Sequence, residues 1–254
     1  MAAVFDQIAS KYDKNRGGDA RGQRFADALL PLITPHERVL DMGVGTGLVA
    51  GALQQHGCSV VGIDVSAEML KHATDRVQLL VQADMNTLPF MDAYFGTVYA
   101  VWSLHMVTDM QATLIDIRRV LKSGGRLLNC SAADIVTSEP ADAAGKILAH
   151  MQKGLRGDKV WHDRPENLER LASEAGFDFE EVVTLTNIYE TSIAQMIEQI
   201  EGNAMLTLQM ATPEQKRRIV QPALEKLRAL PDHHAPIRRE RTHRIAVLRA
   251  IPSN

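Results

Sequence analysis

A chain of 254 residues, 45% hydrophobic and 23% charged, is long and apolar enough to bury a core without staples, and its balance excludes a disordered, collagen-like or coiled-coil chain. Its 28 basic and 31 acidic residues leave a net charge of −3, which excludes the broad basic field of a general nucleic-acid binder. Cys58 and Cys130 are the only cysteines, too few for a disulfide framework or a thiolate metal cluster, so an intracellular chain is expected.

The opening Met1-Ala2-Ala3-Val4-Phe5-Asp6 lacks the positive and apolar regions of a signal peptide. No apolar run approaches the ~20 residues of a membrane helix, so a cytoplasmic protein is expected. Phe25, Leu29, Leu32 and Ile33 have helical spacing within 20–33, and Thr34-Pro35 ends that helix. Residues 38–42 make a short buried strand running into Gly43; Thr46 is placed to cap a helix to His56, which Gly57 stops. Residues 59–64 form a second strand, followed by a helix capped by Ser66. Strands three, four and five are expected at 77–81, 97–102 and 126–130, with a helix over 111–121 ending at Lys122-Ser-Gly-Gly125.

Strands alternating with single helices predict a doubly wound, mostly parallel α/β sheet. The rhythm then changes. A helix over 165–175 is closed by Gly176, strand six runs 177–189, and strand seven waits until 244–248. Within the gap 191–199 is helical, and Thr212-Pro213-Glu214-Gln215 has the form of a capping box. So long a helical stretch between two strands is too much for a connector and predicts an inserted cap, with 139–153 as a second cap segment.

Leu40-Asp41-Met42-Gly43-Val44-Gly45-Thr46-Gly47 joins strand one to a helix, and glycines there let the backbone turn tightly and approach a ligand. Asp64 ends strand two, 21 residues past Gly43, where a carboxylate receives ribose hydroxyls in dinucleotide sites. Yet the spacing is G-x-G-x-G, where the dinucleotide pattern is G-x-G-x-x-G, and Asp41 would repel a pyrophosphate while favouring a cation. S-adenosylmethionine has the same adenosine end, no phosphate, and two positive centres, so the charges suit it better than a nicotinamide cofactor.

Residues 39–47 resemble the first motif of the class I S-adenosylmethionine-dependent methyltransferases. Phe5-Asp-Gln-Ile-Ala-Ser-Lys-Tyr-Asp13 is similar to the opening of the branch that holds the ubiquinone/menaquinone methyltransferases and many natural-product methyltransferases. Val61-Gly-Ile-Asp64, Gln82-Ala-Asp-Met85, Ser103-Leu-His105 and Arg119-Val-Leu-Lys-Ser-Gly-Gly125 resemble its later motifs in order. The likeness covers about residues 5–128; beyond Cys130 only the strand pattern fits. Phe95-Gly96 stands where the family usually has Phe-Asp, and Ser123 where it usually has Pro.

The resemblance implies a Rossmann-like fold over a single domain, 1–254, with cap segments at about 139–153 and 191–230. It implies S-adenosylmethionine as cofactor, with S-adenosylhomocysteine as product. Gly43, Gly45 and Gly47 would line the methionine and ribose side, Asp41 would meet the amino group, and Asp64 the ribose hydroxyls. Val65 would lie against adenine, Asp84 and Met85 would pair or pack there, and Tyr12 and Arg16 would close over the methionine end. Arg21 is the rival to Arg16, and Asp84 has a competing role in capping the turn at Asn86-Thr87. Trp102 is assigned to the cofactor pocket, and Met106, Trp161 and Tyr189 to the acceptor, with core packing as the alternative for each.

His105 follows strand four at the carboxyl edge, and a reference pKa near 6.5 suits a general base; a structural histidine is the competing reading. The sulfonium is already a good leaving group, so in-line proximity, able to supply ~7–11 kcal/mol, comes before any base. His233, His234 and His243 are assigned to a solvated loop, with no metal expected. The basic run 238–244 is assigned to an edge strand and its approach. The expected function is methyl transfer to the O, N or C atom of a small organic acceptor, with neither membrane nor nucleic acid as partner and a homodimer left open. The alternatives are a cyclase or binding module on the same fold, an RNA methyltransferase, and a nicotinamide oxidoreductase.

Overall fold

The structure, a computed structural model, describes residues 5, 6, 9, 12, 13, 17–136, 142–157 and 161–252. Its strands are β1 Arg38–Met42, β2 Ser59–Asp64, β3 Leu79–Gln82, β4 Phe95–Val101, β5 Leu121–Val136, β6 Phe177–Thr191 and β7 Ile237–Ala250. They form one sheet in the order β3-β2-β1-β4-β5-β7-β6, with β1–β2, β1–β4, β2–β3 and β4–β5 all parallel. Helices α1 Gly18–Leu29, α2 Leu48–Gln55, α3 Ala67–Ala73 and α4 Met110–Val120 accompany the first five strands. The seven-stranded, mostly parallel α/β sheet expected from the sequence is the one observed.

Parallel strands covered on both faces are apolar throughout, and β1 is buried at every position after Arg38. Alternate residues feed opposite faces. Leu40 and Met42 pack with Ile63, Phe95, Val98 and Leu114 on one side; Val39 packs with Phe25, Leu29, Leu53, Val60 and Leu128 on the other. Full burial of side chains of this size contributes ~1.5–3 kcal/mol each. α4 buries Met110, Thr113, Leu114, Ile117 and Val120 at helical spacing, and its cap Asp109 accepts from the Ala112 N–H at 3.0 Å. Ser66 caps α3 as expected, accepting from Met69 N–H at 3.1 Å.

Three local expectations are corrected. Thr46 does not cap α2: the cap position is Gly47, and the Thr46 hydroxyl donates to Asp13 at 2.5 Å. β5 starts at Leu121 directly after α4, and a register slip against β4 between Phe95 and Thr97 absorbs Lys122–Gly125. β7 starts at Ile237, well before Arg244, and lies inside the sheet between β5 and β6. Two of its basic residues have acidic partners: Arg239 pairs with Asp142, and Arg244 with Glu166 at 2.6 Å.

The chain divides into two compact units. The first holds 1–135, 161–185 and 243–254, including α6 Pro165–Ala172; the second holds 136–160 and 186–242. The second contains α5 Ala143–Arg156, α7 Ile193–Glu201, α8 Leu206–Gln209, α9 Pro213–Gln215, a π-helical turn at Lys216–Val220 and α10 Gln221–Arg228. Its own core gathers Met151, Ile193, Met196, Ile200, Leu208, Val220, Leu224 and Leu227. The capping box forms as read: Thr212 Oγ1 accepts from Gln215 N–H at 3.1 Å while the Gln215 side chain accepts from Thr212 N–H at 3.0 Å. No described helix is long and apolar enough to cross a membrane.

Candidate active site

The strand order reverses between β1 and β4, so the connections leaving these two neighbours go to opposite faces and open a crevice at their carboxyl ends. The β1–α2 loop lies there. Gly43 has φ +83, and a Cβ on it would stand 2.5 Å from Ser103 Cβ, so only glycine fits beside the β4 end. The Gly43 and Val44 N–H groups donate to Ile63 O at 2.9 and 2.8 Å, which ties the loop to β2. Gly45 N–H donates to Asp64 Oδ2 at 2.9 Å, and Ser66 N–H to Asp64 Oδ1 at 2.9 Å. One carboxylate thus orients the loop while sitting half-buried at the tip of β2.

Asp41 is buried on β1, and its carboxylate accepts from the Tyr99 hydroxyl at 2.6 Å. Burial pushes its pKa up to about 7; the Tyr99 bond opposes that rise and the charge of Asp64 adds to it. Asp64 is raised as well, by burial, against the pull of the Ser66, Gly45 and Val65 N–H groups. Tyr99 is held well above its ordinary value by burial and by Asp41. Two carboxyls that ionise reluctantly at one loop form a site that gains from an incoming positive charge and loses with a phosphate.

Tyr12, Arg21, Asp41, Gly43, Gly45 and Trp102 line one cavity of about 40 Å³ at this loop. The Arg21 guanidinium lies 5.6 Å from the Tyr12 ring centre and 5.0 Å from that of Trp102. Trp102 has φ +61, a strained conformation for a tryptophan, and also contacts Phe25 and His243 at 5.6 and 5.4 Å between ring centres. His243 is buried in this aromatic group, which corrects its assignment to a solvated loop. Two described residues before α1 are bonded at this end of the sheet: Asp6 accepts from Ser66 Oγ at 2.5 Å, and Asp13 pairs with Arg76 at 3.0 Å.

A second group lies past β4. A 3₁₀ turn at Leu104–Met106 carries His105, whose side chain is 4% exposed, with Nδ1 3.9 Å from Asp163 Oδ2. The His105 and Trp161 ring centres are 4.9 Å apart at 55°. Asp163 is fully buried: its Oδ1 accepts from Ser131 Oγ at 2.8 Å, and its main-chain carbonyl from Asn129 Nδ2 at 2.7 Å.

Of the residues singled out in the sequence, Tyr12, Asp41, Gly43, Gly45 and Trp102 share the cavity, Asp64 is bonded to its loop, and the Met85 side chain reaches Gly43. His105 and Trp161 are in contact, and Met106 is half-buried on the same turn. Gly47 faces Ala73 and Val77, away from the cavity lining. Val65 is exposed beside Asp64, and the exposed Asp84 accepts from Asn86 N–H and Nδ2 at 2.9 and 2.6 Å, the turn-capping role weighed above. Tyr189 belongs to the second unit, where its hydroxyl accepts from Arg241 at 3.2 Å. Arg16 lies outside the described residues.

Residues 40–129 match the model of a methyltransferase domain. A demethylmenaquinone methyltransferase from Corynebacterium kroppenstedtii is 37% identical over 204 residues, covering 70% of this chain and 85% of that protein. The chain belongs to the class I S-adenosylmethionine-dependent methyltransferase family, in its ubiquinone/menaquinone-like branch. A relative of the same description from Tropheryma whipplei is 35% identical over 136 residues, half of this chain, and the chain spans 56% of that relative's length. Among solved structures the cyclase SpnF superposes with a TM-score of 0.59 over 99% of this chain and 95% of its own; at 18% identity that likeness shows the fold.

Five polar residues at or near these two groups were unnamed or ranked second from the sequence alone. Arg21 was the rival to Arg16, and burial against Trp102 is what distinguishes it. Tyr99 is the one polar side chain in Val98-Tyr99-Ala100-Val101, and its register opposite Asp41 identifies its partner. Asn129 and Ser131 alternate on one face of β5, a signal that a buried polar group must meet them; Asp163 is that group.

Proposed function

We propose that this chain transfers the methyl group of S-adenosylmethionine to a small organic acceptor, with a quinol ring of the demethylmenaquinone kind as the leading candidate. The observation that carries the reading is the pair Asp41 and Asp64 at the glycine loop: a buried carboxyl with a pKa about 7 beside a second carboxyl whose oxygens hold the loop. That pair suits a ligand with ribose hydroxyls and an ammonium, and opposes a pyrophosphate. The cofactor, when bound, supplies a methyl carbon on a positively charged sulfur.

Asp64 would take the ribose hydroxyls with the lone pairs left by Gly45 and Ser66. Asp41 would meet the ammonium, and Arg21, or Arg16 in its place, the carboxylate with a forked contact. Gly43, Gly45 and Gly47 shape the loop, Tyr12 and Trp102 wall its methionine side, and Val65, Asp84 and Met85 its adenine side. His105 would accept the acceptor's proton as its nucleophilic atom attacks, and Met106 and Trp161 would hold the acceptor; base catalysis of this kind adds ~10²–10⁴-fold to what proximity supplies. The assignment of 139–153 and 191–230 to a helical cap, a cytoplasmic location and a homodimeric assembly belong to the same proposal.

The test supplies S-adenosylmethionine carrying a deuterated methyl, with demethylmenaquinol and a panel of phenols and amines, and follows both products by mass spectrometry. Labelled acceptor and S-adenosylhomocysteine in equal amounts are expected. Cofactor binding with no label transferred to any acceptor would favour the second reading, a cyclase or binding module, which the likeness to SpnF supports at the level of fold.

A further inference from the structure

We propose that Asp163 is a positioning residue for His105, holding the imidazole proton on Nδ1 so that Nε2 is the nitrogen able to take a proton. This rests on the assignment of His105 as base. An isolated buried carboxylate is costly unless its oxygens are bonded, and Asp163 is fully buried. Ser131 Oγ, on β5, donates to Oδ1, and that bond turns the remaining oxygen, Oδ2, to within 3.9 Å of His105 Nδ1. Asn129 fixes the Asp163 backbone from the next outward position on the same strand face. Trp161 packs against the imidazole at 4.9 Å and limits its rotation. The aspartate's carboxyl and main chain are thus pinned separately, and the imidazole is held between Oδ2 and an indole.

A neutral imidazole has one protonated and one basic nitrogen, and a carboxylate beside Nδ1 selects which is which. As the acceptor's nucleophilic atom forms its bond to the methyl carbon, the carbon–sulfur bond breaks with its electron pair going to sulfur. The proton released from the acceptor goes to His105 Nε2, and Asp163 balances the imidazolium that results. The proton then leaves to solvent, which closes the cycle with no other reactant. At 3.9 Å the two groups are within ion-pair distance, so the charge of Oδ2 acts on Nδ1 across the gap.

The purely architectural alternative makes Asp163 a clamp that attaches its own loop to β5. Asp163→Asn separates the two, because the amide oxygen still accepts from Ser131 while an N–H now faces Nδ1. The direct readout is the nitrogen NMR spectrum of His105, assigned by its loss in His105→Ala. The wild-type protein is expected to carry its proton on Nδ1, and Asp163→Asn to move it to Nε2. In the methyl-transfer assay Asp163→Asn is expected to lower kcat by ~10-fold or more, within the range of general-base effects, with KM for S-adenosylmethionine unchanged within about twofold. Asp163→Glu should recover part of the rate. A wild-type proton on Nε2 overturns the proposal without any variant, so a misfolded Asp163→Asn leaves it testable. So does an unchanged kcat in a folded Asp163→Asn. A proton on Nδ1 in a protein that transfers no methyl group would uphold the pairing and refute the function assigned to it.

Discussion

Tyr99 donates to Asp41 at 2.6 Å from directly across the β1–β4 pairing, so the buried acid at the head of the glycine loop is bonded from the neighbouring strand. Unfolded, Asp41 ionises near 3.8; folded, it ionises at about 7. Between those values the folded chain holds one proton more than the unfolded chain. The contribution of this group to stability therefore falls as pH rises from about 4 to about 7, by up to ~1.4 kcal/mol per pH unit, and is constant above that. Asp41→Asn should flatten this part of a stability profile measured by urea unfolding; an unchanged slope would show that Asp41 does not titrate there.

On the proposed assignment the same ionisation governs ligand binding. A cationic cofactor prefers the charged carboxylate, so S-adenosylmethionine should bind more tightly as pH rises from 6 to 8, with a proton released below about 7. Tyr99→Phe removes a hydrogen bond to a charged group, worth ~1.5–3 kcal/mol, and should move the midpoint of that dependence upward by about one to two units. Calorimetry in buffers of different ionisation enthalpy counts the proton. Affinity independent of pH over this range would place the ammonium elsewhere.

Trp102 occupies a left-handed conformation at φ +61. Its ring contacts with Phe25, His243 and Arg21 hold it there against ~1–3 kcal/mol of backbone strain. Removing the ring should destabilise the fold, yet Trp102→Gly should unfold at higher temperature than Trp102→Ala by ~1 kcal/mol in stability, because glycine adopts this conformation freely. The opposite order would mean that the backbone relaxes when the ring is removed.

Gly43 and Gly45 both have positive φ, but only Gly43 has a neighbour in the path of a Cβ. Gly45→Ala should cost ~1 kcal/mol, the price of the conformation alone. Gly43→Ala must also displace Ser103, whose hydroxyl donates to Met42 O, and should be the more destabilised variant in thermal unfolding. Equal losses would show that the β4 end yields.

In the second unit Asp142 caps α5, accepting from Gly145 N–H at 2.9 Å, and pairs with Arg239. Burial pushes its pKa up, but Arg239 and the Gly145 N–H more than offset this and leave it below the ordinary value. Its contribution is therefore complete above the unfolded value of 3.8 and lost as pH falls through the lower folded value. Asp142→Ala should cost ~1 kcal/mol at neutral pH as a lost cap, and less below pH 4. A loss independent of pH would separate the cap from the ion pair.

Where local chemistry decides the outcome, the sequence was legible. Strand one, its glycine loop and the carboxylate at the end of strand two were found in place, as were the Ser66 cap and the box at Thr212–Gln215. Thr46 looked like a cap, but Asp13, 33 positions earlier, takes its hydroxyl, and sequence spacing carries no sign of that. The charges of Arg238–Arg244 concealed the first half of β7, since partners such as Asp142 and Glu166 are distant in the chain. Gly96 departs from the family because Glu37 lies where a side chain would stand, with Glu37 Cβ 2.4 Å from the Cβ it would carry. Asp163 was invisible for the same reason: its partners, His105 and Ser131, are joined to it only by the folded sheet.

The proposed function requires the glycine loop to take S-adenosylmethionine. Thermal unfolding of the wild-type chain and of Asp64→Ala, each with S-adenosylmethionine, S-adenosylhomocysteine or NADH, tests this most directly. At 100 times its dissociation constant a ligand adds ~2.7 kcal/mol, a shift of roughly 5–10 °C for a chain of this size. The shift is expected with both adenosyl ligands, absent with NADH, and lost in Asp64→Ala. A shift with NADH alone, or one that Asp64→Ala leaves intact, would contradict the assignment of the site.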